Sequence, residues 1–334
     1  MIRPRALFTL AAMLALSCGL FPATTLAQQA TVLKLGNVQA PGMPVQTGLK
    51  RLADLVKERT NGEVVIEIYP AAQLGSEQEI LEGVSLGTIH MFEGSAASVG
   101  RFLPRMEAFA CPFAWKSPAS LAKAARSNVA DELAQELVKK RGIRLLDAGW
   151  IFGIRHLTTT KTEVKAPSDM KGLKIRVQPD ALYLATVRAM GGNPTPIDAK
   201  EVYMSLQAGV VDGQENPISN IYNRKFNEVQ KYLMLTGHIT QNQVVVISEK
   251  VYQKLTPKQQ SILRQATLEA GDYQNGLIAK ADQEGLAKLK AAGMQVIEPD
   301  VTAFRKAAAG VCRDAMFEKK WGAGFYDRLE AAQN

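Results

Sequence analysis

Short apolar, β-branched runs alternate with helical patterns from Val32 to the end of the chain, and no Pro- or Ser-rich linker separates two halves. That alternation is the mark of α/β architecture. Strands are expected at VLKLGN (32–37), VVIEIYP (64–70), 88–93, KGLKIRV (171–177) and ITQNQVVVIS (239–248). Two more, IRLLDAG and IFGIRHLTT, fall within 143–159. Helices are expected between them. Leu49, Leu52, Leu55 and Val56 share one face of a 45–60 helix that Asn61-Gly62 stops. Further helices fit 76–86, a single long one over 118–141, and 198–208 opened by an Asp198–Glu201 capping box. Thr256-Pro257 with Gln259 opens a helical region running to about 292, and a shorter helix is expected over 301–331. The 239–248 strand is long enough to bridge two domains. With no linker, two domains must be joined by elements that cross between them, which predicts a hinged, interleaved pair.

The chain has 334 residues, enough for two α/β domains with a sizeable core. Its first residues do not belong to that core. MIRPR is followed by an apolar run from Ala6 to Leu20, then FPATTLA with Thr25 and Ala27 at the −3 and −1 positions of a cleavage site. This reads as a secretory signal peptide over 1–27, cut after Ala27, and places the remainder in the periplasm. Cys18 lacks the leucine three residues earlier that a lipoprotein site usually carries; Ala15 stands there. No later stretch is apolar enough to span a bilayer. The net charge of +8 is spread along helices and interleaved with acids, without a basic stripe or interleaved aromatics, so nucleic acid is not an expected partner. Cys111 and Cys312 are expected as two separate buried thiols, the commoner state of a free cysteine, although export permits a disulfide.

Enzymatic signatures are missing. There is no G-x-G-x-x-G after a strand and no G-x-x-x-x-G-K-[ST] loop. GSAASVG (94–100) does not satisfy G-x-S-x-G. His90, His156 and His238 are isolated, which predicts structural roles and no metal site. No cofactor is expected. The acids of GVVDGQENP (209–217) leave one enzymatic alternative, an exported enzyme with Asp212 and Glu215 as an acid/base pair.

The arginines are more telling. Arg176 lies inside LKIRV and Arg155 inside FGIRHLT, each a charge within an apolar run. A guanidinium buried on such a strand needs either an internal carboxylate or an anionic ligand. Its planar fork suits a carboxylate, and phosphate or sulfate would serve equally well. Phe92, Trp115, Trp150 and Tyr222 are expected in the core.

Several stretches together resemble the solute-binding proteins of tripartite ATP-independent periplasmic (TRAP) transporters, the DctP-type family. They are KGLKIRV, GGNPTPIDAKEVYMSLQAGVVDGQENPISN, LKLGN, YPAAQLGSEQEILEGVSLG (69–87), FACPF (109–113), FNEVQKYL (226–233) and the helix after LTP (255–257). The resemblance covers nearly the whole chain after the leader. It implies a two-domain periplasmic-binding-protein (type II-like) α/β fold, with a hinge and a long crossing helix. The implied division is 28–153 plus 242–281 for domain I and 154–241 plus 282–334 for domain II. It implies a monomer that captures an organic acid by domain closure and delivers it to TRAP membrane subunits; a binding protein serving a sensor receptor would share the pocket. By resemblance, Arg176 pairs with the ligand carboxylate, Arg155 is the second arginine and Asn216 an amide donor. Glu77 and Ser95 line the other domain, with Gln39 beside them. Sialic-acid-binding relatives carry an aromatic residue where Ala199 stands, which argues against that ligand. In this light Val210 and Val211 suggest a short buried strand, and Asp212 and Glu215 hold the loop and hinge.

Overall fold

The computed structural model describes residues 30–334, so the leader lies outside the described residues. Nine strands form one mixed sheet: β1 (Thr31–Gly36), β2 (Val64–Tyr69), β3 (Met91–Ser95), β4 (Ile143–Thr159), β5 (Lys174–Val177), β6 (Asn193–Pro196), β7 (Gly213–Pro217), β8 (Tyr232–Ser248) and β9 (Gln295–Ile297). Their order is β2-β1-β3-β8-β4-β7-β5-β6, with β9 on β8. Parallel β1–β2–β3 at one end and parallel β6–β5–β7 at the other are the cores of two α/β domains.

Two long antiparallel strands join these ends. β4 and β8 are 17 residues each and pair along nearly their whole length. One end of β8 pairs with β3 through 243–247, and the other pairs with β9 through 232–234. β4 is a single strand where two were expected. Its ladder to β8 slips at several bulges, and Gly153 there adopts φ 132°, which glycine alone takes easily.

The helix Pro257–Ala291 crosses the same boundary, packing on the helix Pro44–Arg59, on β4 and on the helix Ile218–Asn223. Its start is the expected box: Thr256 accepts from the Gln259 amide, and Gln259 returns the bond to Thr256. One apolar cluster lies under β1–β3 around Leu33, Leu49, Trp150 and Val245, and another under β7 around Leu206, Ile221 and Phe226. A third runs continuously between the domains, from Phe92 and Phe109 to Val177 and Tyr183. No helix among the described residues is long and apolar enough to cross a membrane.

Several expectations are corrected. Cys111 and Cys312 form a disulfide, with Cα atoms 6.0 Å apart. The pairing tethers the C-terminal segment, whose helices Ala315–Trp321 and Phe325–Ala331 replace the tail of the single helix expected over 301–331. The helix expected over 118–141 breaks into Pro118–Ala124 and Asn128–Arg141. At the break Arg126 turns aside to pair with Asp147 of β4 and Asp272 of the long helix, at 2.7 and 2.6 Å. The Asp198–Glu201 box is absent: the helix starts at Val202, and the Asp198 carbonyl accepts from the Glu201 amide in a turn. Val210 is 54% exposed; the buried strand is the next segment, Gly213–Pro217.

Candidate ligand-binding cleft

Strands β5 and β7 end at the gap between the domains, as do β1 and the helix Glu77–Leu86 opposite. A narrow cavity, partly open to solvent, lies there. Gln39, Glu77, Ser98 and Arg101 line it from one side, and Arg176, Asn216, Asn220 and Arg224 from the other. Arg155 and Gln241 reach it from the two long strands. Of the six residues expected at the site, five therefore line this one cavity. Ser95 does not. It sits just behind, 1% exposed, its hydroxyl accepting from the Ala97 amide and from Gln178 Nε2 at 3.3 Å.

Arg155 is fully engaged. Its Nε lies 2.5 Å from Glu215 Oε2 and its Nη2 2.8 Å from Glu215 Oε1, while Nη1 donates to Gln241. The ring of Tyr183 lies 5.2 Å from its guanidinium carbon. Glu215 also takes a contact from His238 Nε2 at 3.2 Å. Burial pushes the Glu215 carboxyl up, but Arg155 and His238 outweigh it and hold it below the ordinary carboxylate value.

Arg176 differs. It is 3% exposed, and the one bond it makes is from Nε to the Ile197 carbonyl at 2.8 Å. No carboxylate among the described residues forms an ion pair with it, so both terminal nitrogens are free for a guest. Burial pushes this guanidinium down to about 9; Glu215 opposes that shift, while Arg155 and Arg224 reinforce it. Holding a cation so far from water without a counter-charge costs free energy that a bound anion would offset.

Beside it runs a ladder that sequence reading missed. The Asn216 side-chain carbonyl accepts from Asn220 at 2.6 Å, and Asn220 accepts from Arg224 Nε at 3.0 Å. The three residues stand four apart, the spacing that stacks side chains on a helix, so NPISNIYNR (216–224) carried the signal. Arg224 then donates to the Ala199 and Val38 carbonyls at 3.1 and 2.6 Å, spanning both walls. Burial pushes it down to about 10. Phe152 and Phe226 supply the apolar lining. Phe92, Trp115 and Trp150 are core residues, as expected.

On the opposite wall Glu77 opens its helix behind a complete capping box of Ser76 and Glu79. Its carboxylate accepts from Ser98, and burial, with Asp180 adding to it, pushes it up to about 7. Gly94 permits this approach, since a Cβ there would stand 2.8 Å from Glu77 Oε1. The Gln39 backbone is pinned by Asn37 and Gln46. The histidines act structurally. His90 and His156 each accept a backbone amide on Nδ1, and His238 links Thr236 to Glu215. Asp212 takes the Lys174 amide at 2.8 Å and so ties β5 in place. It lies outside the cavity wall.

Residues 35–320 match the family described as bacterial extracellular solute-binding protein, family 7 (DctP). The chain belongs to this family. Its members are solute-binding proteins and not enzymes, so the acid/base reading of Asp212 and Glu215 falls. The sialic acid-binding periplasmic protein SiaP of Vibrio cholerae is 33% identical over 90% of this chain and 93% of its own length. The 2,3-diketo-L-gulonate-binding periplasmic protein YiaO of Escherichia coli is 36% identical over 81% and 82%. A TRAP periplasmic solute-binding protein of Actinobacillus succinogenes, solved with L-galactonate bound, superposes with a TM-score of 0.85. It is 34% identical, and the match covers 91% of this chain and 99% of that one. A second, from Polaromonas with D-erythronate bound, gives 0.85 at 31% identity, covering 90% and 98%.

Proposed function

We propose that the protein captures a small organic acid between its two domains in the periplasm and delivers it to TRAP-type membrane subunits. Arg176 carries this reading: a buried guanidinium with free terminal nitrogens in a cavity wall calls for a carboxylate. Asn216 completes that end, with Arg155 holding the wall beside it through Glu215, and Glu77 and Gln39 meet the rest of the ligand, with Ser95 supporting the wall from behind. The sugar acids bound to the two structural neighbours support a hydroxylated monocarboxylate. Ala199, small where sialic-acid binders carry an aromatic ring, argues against sialic acid.

The moving bodies are 28–153 plus 242–281 and 154–241 plus 282–334. Asp282, which accepts from the Ser219 amide at 3.1 Å, supports a division of the long helix at that point. Closure then follows the ligand's greater affinity for the closed state.

Thermal-shift screening tests the function against C4-dicarboxylates, sugar acids, α-keto acids and aromatic acids. A ligand at a hundredfold excess over its Kd stabilises the folded chain by ~2.7 kcal/mol. One acid class should raise the melting temperature, and Arg176→Ala should abolish the rise. A shift that survives Arg176→Ala would overturn the assignment.

A further inference from the structure

The cleft contains a second constellation, away from Arg176 and Arg224. Asp180 precedes the helix Ala181–Ala189 on the Arg176 side and is 4% exposed. Glu77 faces it from the other domain. The hydroxyl of Ser98 lies between them, hydrogen-bonded to Glu77 Oε2 and 3.4 Å from Asp180 Oδ2. A hydroxyl has one hydrogen, so it serves one carboxylate and turns a lone pair toward the other. With both acids ionised the chain of bonds is incomplete. One added proton completes it: a protonated carboxyl donates to Ser98 Oγ, and Ser98 donates to the remaining carboxylate.

We infer that the closed cleft holds a binding site for a single proton, shared by Glu77 and Asp180 through Ser98, so that closure takes up a proton from solvent. The inference rests on the two-body cleft proposed above but not on which acid occupies it.

The surrounding charges do not supply a substitute. Arg101 Nε approaches Asp180 Oδ1 only to 3.7 Å, because its terminal nitrogens are spent on Gln78 and on the Pro179 carbonyl at 2.6 Å. Gln178 gives Asp180 one neutral bond at 2.8 Å. Glu107, on the neighbouring turn, adds negative charge but is itself paired with Lys320 at 2.7 Å. Tyr183, one helical turn on from Asp180, is held neutral by burial. Behind Glu77 lies Glu93, wholly buried with neither carboxyl oxygen hydrogen-bonded, and burial pushes its carboxyl well above the ordinary value.

Arg155, Arg176 and Arg224 favour the ionised form of Glu77 from across the cavity. Arg155 is already offset by Glu215. An anion seated on Arg176 offsets another, so anion binding and proton binding reinforce each other. The direction of the shifts agrees. Burial is the main cause of both, pushing Glu77 up to about 7 and Asp180 up to about 6.

In an open cleft both acids face water and titrate near the ordinary value of about 4. The closed state therefore binds more protons between there and about 7, and closure strengthens as pH falls. One proton taken up over that window favours closure about tenfold at pH 6 relative to pH 8.

The test needs no ligand. Spin labels at Leu86→Cys and Met204→Cys, both exposed and on opposite domains, report the open and closed populations by pulsed electron resonance. The closed-to-open ratio should rise about tenfold from pH 8 to pH 6. In Glu77→Gln, whose amide donates to Ser98 permanently, the ratio should be independent of pH and sit at the wild-type pH 6 level. Asp180→Asn should behave alike. A ratio that is the same at both pH values in the wild type, or a pH response that persists in both variants, would overturn the proposal. Either result leaves carboxylate capture by Arg176 standing, since that is read from ligand affinity alone.

Discussion

Arg155 and Arg176 lie two strands apart in one sheet, each set in an apolar run and each all but inaccessible, yet they are opposites. Arg155 has a bidentate carboxylate, an amide and an aromatic face. Arg176 has one carbonyl. The first is a finished piece of framework; the second is finished by something from outside. A buried charge identifies an expensive position, and its partners decide whether the position serves the fold or the ligand.

Removing a partner from the finished pair should have the largest effect. Glu215→Gln leaves Arg155 and His238 facing no negative charge in a dry site, and should cost about 3–5 kcal/mol of stability in urea unfolding. A loss below about 1 kcal/mol would erase the contrast between the arginines. Arg176→Ala should do the reverse. Affinity for the acid should fall by about 2–5 kcal/mol in calorimetry, while the ligand-free protein stays as stable or gains, since an uncompensated buried cation is gone. Arg176→Lys keeps the charge but loses the planar fork, and should weaken binding roughly tenfold or more.

The smallest effect is in acid. The Glu215 carboxyl lies below its ordinary value in the fold, so its contribution is present above about pH 4.5 and is lost as pH falls through the folded value. Unfolding followed from pH 6 to pH 3 should therefore show a steeper decline for wild type than for Glu215→Gln. Parallel declines would mean that Glu215 is not held ionised by Arg155.

The two arginines also show how far the sequence could be read. A charge inside LKIRV or FGIRHLT was visible without coordinates, as was the family's pattern around it. The partner was not: Glu215 stands 60 residues from Arg155, and only the pairing of β4 with β7 brings them together. The same distance problem hid the Cys111–Cys312 bond, which spans 201 residues. Local signals succeeded where one segment decides the outcome, as at Thr256 and Gln259. They failed where a tertiary contact competes, as at Arg126, which leaves its helix for Asp147. Val210 and Val211 looked like a strand by composition, but β5 pairs with the residues that follow them. Ser98, Gln178 and Asp180 are ordinary polar residues until the domains face one another.

The bulged ladder between β4 and β8 has its own consequence. Two strands shared by both domains make the joint a torsion element, whose stiffness is set where the hydrogen-bond register slips, between Leu145 and Leu157. In the closure proposed above, widening the cleft would wind or unwind that stretch, so its elasticity would enter the dissociation constant for the ligand. A substitution at Gly153 would retune that spring, and drift at such positions would adjust how long cargo is retained while its chemical preference stays the same.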